Sequence, residues 1–225
     1  MKRVISAVLL AFVAAAPLAA QSPAGWQVRA DRSTNPTDPD GAGEIRFTTI
    51  AGGFKAVNPT AAIFWNPANT ATGTYTLRAT FKLNEPSGHN NYYGLIMGGR
   101  ALDGQEQSYV YFVVAQDGSF LIRKRMGDRM PDPNAPARGG RGGRGPSAIT
   151  EDIARSKHEA VKQPGPDGTS VNALEVRVTP ATLTFVVNGT TVHTMPKGDV
   201  VADGIYGIRV NHLLNVDITN FGLAR

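Results

Sequence analysis

Residues 171–225 constrain the fold more than any other stretch of the chain. In 173–178, Leu174, Val176 and Val178 alternate with Glu175 and Arg177, the period of a strand with one buried and one wet face. Thr179-Pro180 ends it, because proline has no N–H to give to a ladder. Leu183, Phe185 and Val187 share the next strand face, and Asn188-Gly189 supplies the two positive-φ residues of a type I′ hairpin. A two-residue turn there pairs Phe185 with Val192 and Thr184 with His193, which turns His193 away from the core. Asp203-Gly204 opens a strand with Tyr206, Ile208 and Val210 on one face, and Val216 and Ile218, then Phe221 and Leu223, close the chain. The face changes near Asn220, which predicts a bulge or kink. An antiparallel sandwich accommodates this succession, and little else does.

Asn188-Gly189-Thr190 is also a formal glycosylation sequon, but the hairpin accounts for the same residues with no further assumption.

The Val187-Asn188-Gly189 hairpin, the D-G-I-x-G-I-R run at 203–209 and the closing V-x-I-T-N-F-x-L at 216–223 resemble the C-terminal strands of concanavalin A-like jelly-roll domains. Among these the chain is most similar to the bacterial secreted family of 3-keto-disaccharide hydrolases. The resemblance implies an all-β jelly roll of two antiparallel sheets and, as its chemistry, hydrolysis of modified disaccharides or glycosides. Where that family has an N-S-G-I strand, this chain has Tyr92-Tyr93-Gly94-Leu95-Ile96. Glu106-Gln107 and Asn172 are what stands at the family's E-x-Q-x-x-D and W-N.

At the other end, Met1-Lys2-Arg3 precede an apolar run and a small-residue stretch ending Pro17-Leu18-Ala19-Ala20. This is the pattern of a signal peptide over 1–20, cleaved before Gln21. The run is too short to span a bilayer, no later segment reaches about 20 apolar residues, and no cysteine stands at the cleavage point for a lipid anchor. The expected product, 21–225, is one sandwich domain, exported to the periplasm or beyond, with no membrane anchor.

With no cysteine the chain has neither disulfides nor a catalytic thiol, and four histidines count against a structural zinc site. No cofactor and no metal is therefore expected. The net charge is +5; Lys2 and Arg3 leave with the signal peptide, and Arg138, Arg141 and Arg144 share one glycine-rich loop. The folded body is then close to neutral, which argues against a nucleic-acid partner.

In the first half, 26–29, 45–50 and 62–65 read as short strands. Residues 75–83 read as a clear one, with Tyr75, Leu77, Ala79, Phe81 and Leu83 alternating with polar residues. Asp38-Pro39-Asp40-Gly41, with Glu44 following, resembles part of a calcium loop, although Pro39 suits an ordinary turn. In 92–100, Gly94 and Gly98 share a strand face, which marks close approach by a ligand or another backbone. Strands 108–115 and 119–125 form a hairpin about Asp117-Gly118 that pairs Val113 with Ile122 and Tyr111 with Lys124. Residues 127–170, rich in glycine, proline and arginine, read as a mobile insertion, with a strand or helical turn in 149–161 tying it back.

No nucleophile elbow and no pair of carboxylates at glycosidase spacing stands out, so catalytic residues are not assigned. His158 and His193 read as surface residues. His89, Tyr92, Asn211 and His212 fall at strand-to-loop junctions, where aromatic faces stack on sugar rings and amides and imidazoles bond hydroxyls. Arg100, Tyr109 and Tyr111 complete the candidate ligand surface on a concave sheet, beside Gly94. The competing reading has the Asn and His serving turns and the tyrosines packing. Three functions stay open: a secreted carbohydrate-binding jelly roll, a glycoside hydrolase, and a structural or interaction domain of the cell envelope with a filled concave face.

Overall fold

The computed structural model describes residues 22–33, 37–129 and 147–224. The expected signal peptide and the glycine-arginine run lie outside the described residues. In chain order the strands are β1 (Gln27–Asp31), β2 (Arg46–Ile50), β3 (Gly53–Asn58), β4 (Ala61–Ala71) and β5 (Tyr75–Glu85). Then come β6 (Tyr92–Arg100), β7 (Ser108–Ala115), β8 (Ser119–Arg129), β9 (Ser147–Lys157) and β10 (Ser170–Val178). The tail holds β11 (Thr182–Val187), β12 (Thr190–Pro196), β13 (Gly204–Val210) and β14 (Leu214–Ala224).

They form two antiparallel seven-stranded sheets, sheet A in the order β1-β4-β13-β6-β7-β8-β9 and sheet B in the order β12-β11-β10-β5-β14-β3-β2. The jelly-roll sandwich read from the tail is the fold observed. The core lies between the sheets: Phe64, Tyr93, Leu95, Phe112, Ile122 and Ile208 from sheet A meet Leu77, Phe81, Leu83, Leu174, Val176, Phe185 and Ile218 from sheet B. Trp26 caps one side of it against Phe47, Phe54 and Phe221, with ring centroids 4.6–5.6 Å apart.

Two hairpins depart from the expected register by one residue. At β11–β12 a bulge after Phe185 sets Phe185 opposite His193 instead of Val192, so His193 shares a face with Phe185 instead of turning away from it. At β7–β8 the loop has three residues, not two: Gly118 donates to Ala115 O and Phe112 pairs with Ile122. That extra residue puts both Phe112 and Ile122 in the core. The kink at Asn220 is present, with φ 53° and a register shift between Thr219 and Gly222. Strand β3 was not expected from the sequence. Strand β9 lies within the stretch read as an insertion, and it pairs along β8 at the edge of sheet A.

The type I′ turn is formed, Asn188 and Gly189 both having positive φ. The Asn188 side chain is also fully occupied. Its Oδ1 accepts from Ala173 N at 2.8 Å, and its Nδ2 donates to Ala160 O and to Asn172 Oδ1. Asn172, wholly buried, in turn donates to Lys162 O and Tyr93 OH. Two amides thus fasten the return from β9 to β10 and to the β11–β12 turn.

Candidate functional site

The strand pairing decides which candidate residues share a surface. Ile96 stands opposite Tyr111, and Gly94 lies between Val113 and Arg209, so Tyr92, Tyr109 and Tyr111 share the outer face of sheet A. Beside them are Ile63, Trp65, Ile96, Val113 and Leu121, a second hydrophobic cluster separate from the main core. Arg100, exposed and beyond a register shift, does not join them.

This face is sealed by its own curvature. In a flat sheet β1 and β8 would stand about 24 Å apart, five steps of roughly 4.8 Å. Yet Arg29 Nη2 of β1 lies 2.6 Å from Asp128 Oδ2 of β8, and Arg125 of β8 reaches Asp31 of β1. Sheet A therefore curls toward its outer face until its two flanks meet. Arg209 fills the hollow: its Nη1 donates to Asp31 Oδ2 at 2.6 Å and to Tyr109 OH at 3.0 Å, and its guanidinium lies over the Tyr111 ring. Leu102, from the loop after β6, packs into the same cluster.

Electrostatics follow from this enclosure. Burial raises the pKa of Asp31, but the guanidiniums of Arg209, Arg125 and Arg29 outweigh it and hold the carboxyl below its usual range. Burial likewise pushes the Tyr109 phenol up to about 12, so it stays protonated. A carboxylate held ionised this way is unsuited to act as a general acid. Tyr109 and Tyr111, at 2 % and 5 % exposure, pack against each other and Arg209 instead of offering open stacking faces. The sequence reading missed Arg209 because its neighbours Ile208 and Val210 made it look like a solvent-facing position. The glycines are explained without a ligand: a Cβ on Gly94 would fall 2.2 Å from Phe112 O, and one on Gly98 2.1 Å from Val201 O.

The remaining candidates gather at one end of the sandwich. His89 follows β5, His212 follows β13, and their Nε2 atoms stand 2.9 Å apart. Asp38 Oδ1, from the segment between β1 and β2, lies 2.8 Å from His89 Nε2 and 3.1 Å from His212 Nε2. Asn211 N donates to Tyr92 O, which sets Tyr92 at the same end. Asn91 Nδ2 contacts both Ser87 Oγ and His89 Nε2. Glu44 is not part of this cluster.

Next to it runs a groove of about 710 Å³ lined by Gly41–Glu44, Arg46, Asn58, Pro59, Glu85–Ser87 and Leu213–Asn215. Leu213 is a large exposed apolar residue with φ 56°, and such positions persist only where the surroundings enforce them. Sequence reasoning found the two histidines but not the groove, whose walls come from four separate stretches of chain.

No family model matches the chain, and no curated protein matches it. Solved structures do. A carbohydrate-binding module CBM66 from Bacillus subtilis superposes with a TM-score of 0.55 at 10% identity, over 89% of this chain and 96% of that one. A protein of unknown function with a galectin-like fold, also from Bacillus subtilis, gives 0.51 at 10% identity over 88% of each chain. A family 16 glycoside hydrolase from Bacteroides ovatus gives 0.50 at 11% identity, over 86% and 81%. The fold is a two-sheet jelly-roll sandwich. At these identities the likeness extends to the fold alone.

Proposed function

We propose that this chain is an exported carbohydrate-binding jelly roll whose ligand lies in the groove at the crossover end, beside His89, Tyr92, Asn211 and His212. The groove carries the proposal. Its volume falls within the range of small-molecule sites, about 300–1,000 Å³. It alternates groups that bond hydroxyls (Glu44, Arg46, Glu85, Asn215) with apolar ones (Pro59, Pro86, Leu213) suited to the C–H faces of a sugar ring. The sealed outer face of sheet A argues against Tyr109 and Tyr111 as contacts, and Arg100 stands exposed apart from them, which moves the ligand away from the middle of that sheet. Export rests on the signal-peptide pattern of 1–20. That a carbohydrate-binding module shares the fold over nearly all of both chains fits this reading.

A second reading is hydrolysis, in keeping with the resemblance to 3-keto-disaccharide hydrolases. It is favoured by one observation: Glu44 and Glu85 line the same groove, and glycoside hydrolysis employs two carboxyl groups about the scissile bond.

One experiment tests both. Mature protein is screened on a glycan array, hits are measured by calorimetry, and products are followed by sugar release. Binding that weakens at least tenfold in Arg46→Ala, and is unchanged in Arg177→Ala at the opposite end of the same sheet, supports the groove. Sugar release abolished by Glu44→Gln or Glu85→Gln favours the hydrolase. No binding to any saccharide overturns both and favours the structural domain.

A further inference from the structure

The contacts among Asp38, His89 and His212 do not close as hydrogen bonds. Each imidazole Nε2 carries either one proton or one lone pair, so it either donates or accepts. His89 Nε2 nevertheless meets Asp38 Oδ1 at 2.8 Å, His212 Nε2 at 2.9 Å and the Asn91 amide nitrogen at 3.1 Å. To accept from Asn91 it must be unprotonated, and then it has nothing to give Asp38. A cation at the centre of the triangle would satisfy both imidazoles and the carboxylate at once.

A second observation points the same way. Asp40 Oδ1 is buried with no hydrogen-bond partner, and it lies 3.6 Å from His212 Nδ1. A carboxylate facing the far nitrogen of an imidazole is the arrangement that keeps the proton on Nδ1 and leaves Nε2 free to ligate a metal.

We propose that Asp38, His89 and His212 form a binding site for a divalent transition ion of the zinc class. Two imidazoles and one carboxylate suit such an ion, whereas calcium takes six to eight oxygens. Ligand atoms of a tetrahedral zinc at about 2.0–2.1 Å stand roughly 3.3 Å from each other, so edges of 2.8, 2.9 and 3.1 Å need open by only a few tenths. The side chains of His89 and Asp38 are 42% and 39% exposed, which leaves the fourth position to solvent. The three ligands come from the β1–β2, β5–β6 and β13–β14 connections, each of which crosses from one sheet to the other. A bound ion therefore cross-links the sandwich as well as offering an open coordination position.

The test uses metal-free mature protein titrated with Zn²⁺, Co²⁺ and Ca²⁺, with uptake measured after dialysis and melting followed in parallel. Expected are one equivalent of Zn²⁺ per chain, a higher Tm, and the visible d–d absorption of four-coordinate Co²⁺. His89→Ala and His212→Ala should each weaken uptake at least a hundredfold, while His193→Ala, outside the cluster, matches the parent. The Co²⁺ spectrum is read on the unaltered protein, so it stands even where a variant fails to fold. The proposal is overturned by absence of stoichiometric Zn²⁺ uptake, by histidine variants that bind like the parent, or by Ca²⁺ being taken up and Zn²⁺ refused.

Discussion

The outer faces of the two sheets are made from the same kind of strand and have opposite characters. On sheet B, Arg78 stands opposite Glu175, Thr76 opposite Arg177, and Lys82 opposite both Val171 and Asp217, a solvated wall of alternating polar residues. On sheet A the corresponding positions are Ile63, Trp65, Ile96, Tyr111 and Val113, all buried, with Arg209 clasped among them. Curvature makes the difference. A sheet whose flanks meet turns its outer face into a second interior, and an interior must be filled and its charges paired. Tyrosine and arginine on a concave sheet therefore do not by themselves mark a sugar-binding surface.

The largest test of this contrast is Arg209→Met, which leaves Asp31 buried without its closest partner and should cost about 3–5 kcal/mol in urea melts. A loss below about 1 kcal/mol would mean that the face is wet, as surface ion pairs are.

The acid limb of stability is the next discriminator. Because the Asp31 pKa is lowered on folding, its contribution is fully present above the unfolded value of about 3.9 and is lost as pH falls through the folded one. Stability should hold from pH 7 to about 5 and fall below about 4, and Asp31→Asn should flatten that fall while lowering stability at neutral pH. An unchanged acid limb in the variant would remove Asp31 from the account.

A smaller effect probes packing alone. Ile96→Val, on the outer face of sheet A, should cost about 0.5–1.5 kcal/mol, the same as Ile208→Val in the main core. A cost near zero for Ile96 would show that the second interior is loosely filled. Smallest of all, Arg177→Ala and Lys82→Ala on sheet B should stay within about 0.5 kcal/mol of the parent; larger losses would mean that this wall is covered too.

The same contrast explains what was legible in the chain. Strands β5 and β10 read clearly because one face is wet, and alternation is the signature of a wet face. Strands β6 and β7 are buried on both sides, and their patterns carry no such period. The two hairpin registers slipped by one because a bulge and a three-residue loop each add a residue that turn chemistry alone does not announce. Arg209 and Asp31 are 178 positions apart, and His89 and His212 are 123 apart, so only the completed sheet order brings either pair together. Residue types pointed to the histidine end of the sandwich. Asp38, which joins them, read as part of a turn or of a partial calcium loop.

The engaged amide of Asn188 has a consequence for how the chain would behave in a glycosylating host. A glycan on Nδ2 would replace one of its two N–H groups and so remove the donor to Ala160 O or to Asn172 Oδ1, so modification and native structure compete for one nitrogen. Isolated hairpins close in about 1–10 μs, but the partners of this amide come from β9's return and from β10, and they arrive only as the sandwich assembles. The sequon is therefore open to a transferase only before assembly: chains that fold first should leave such a host unmodified at Asn188, and chains modified first should be the ones that fail to fold.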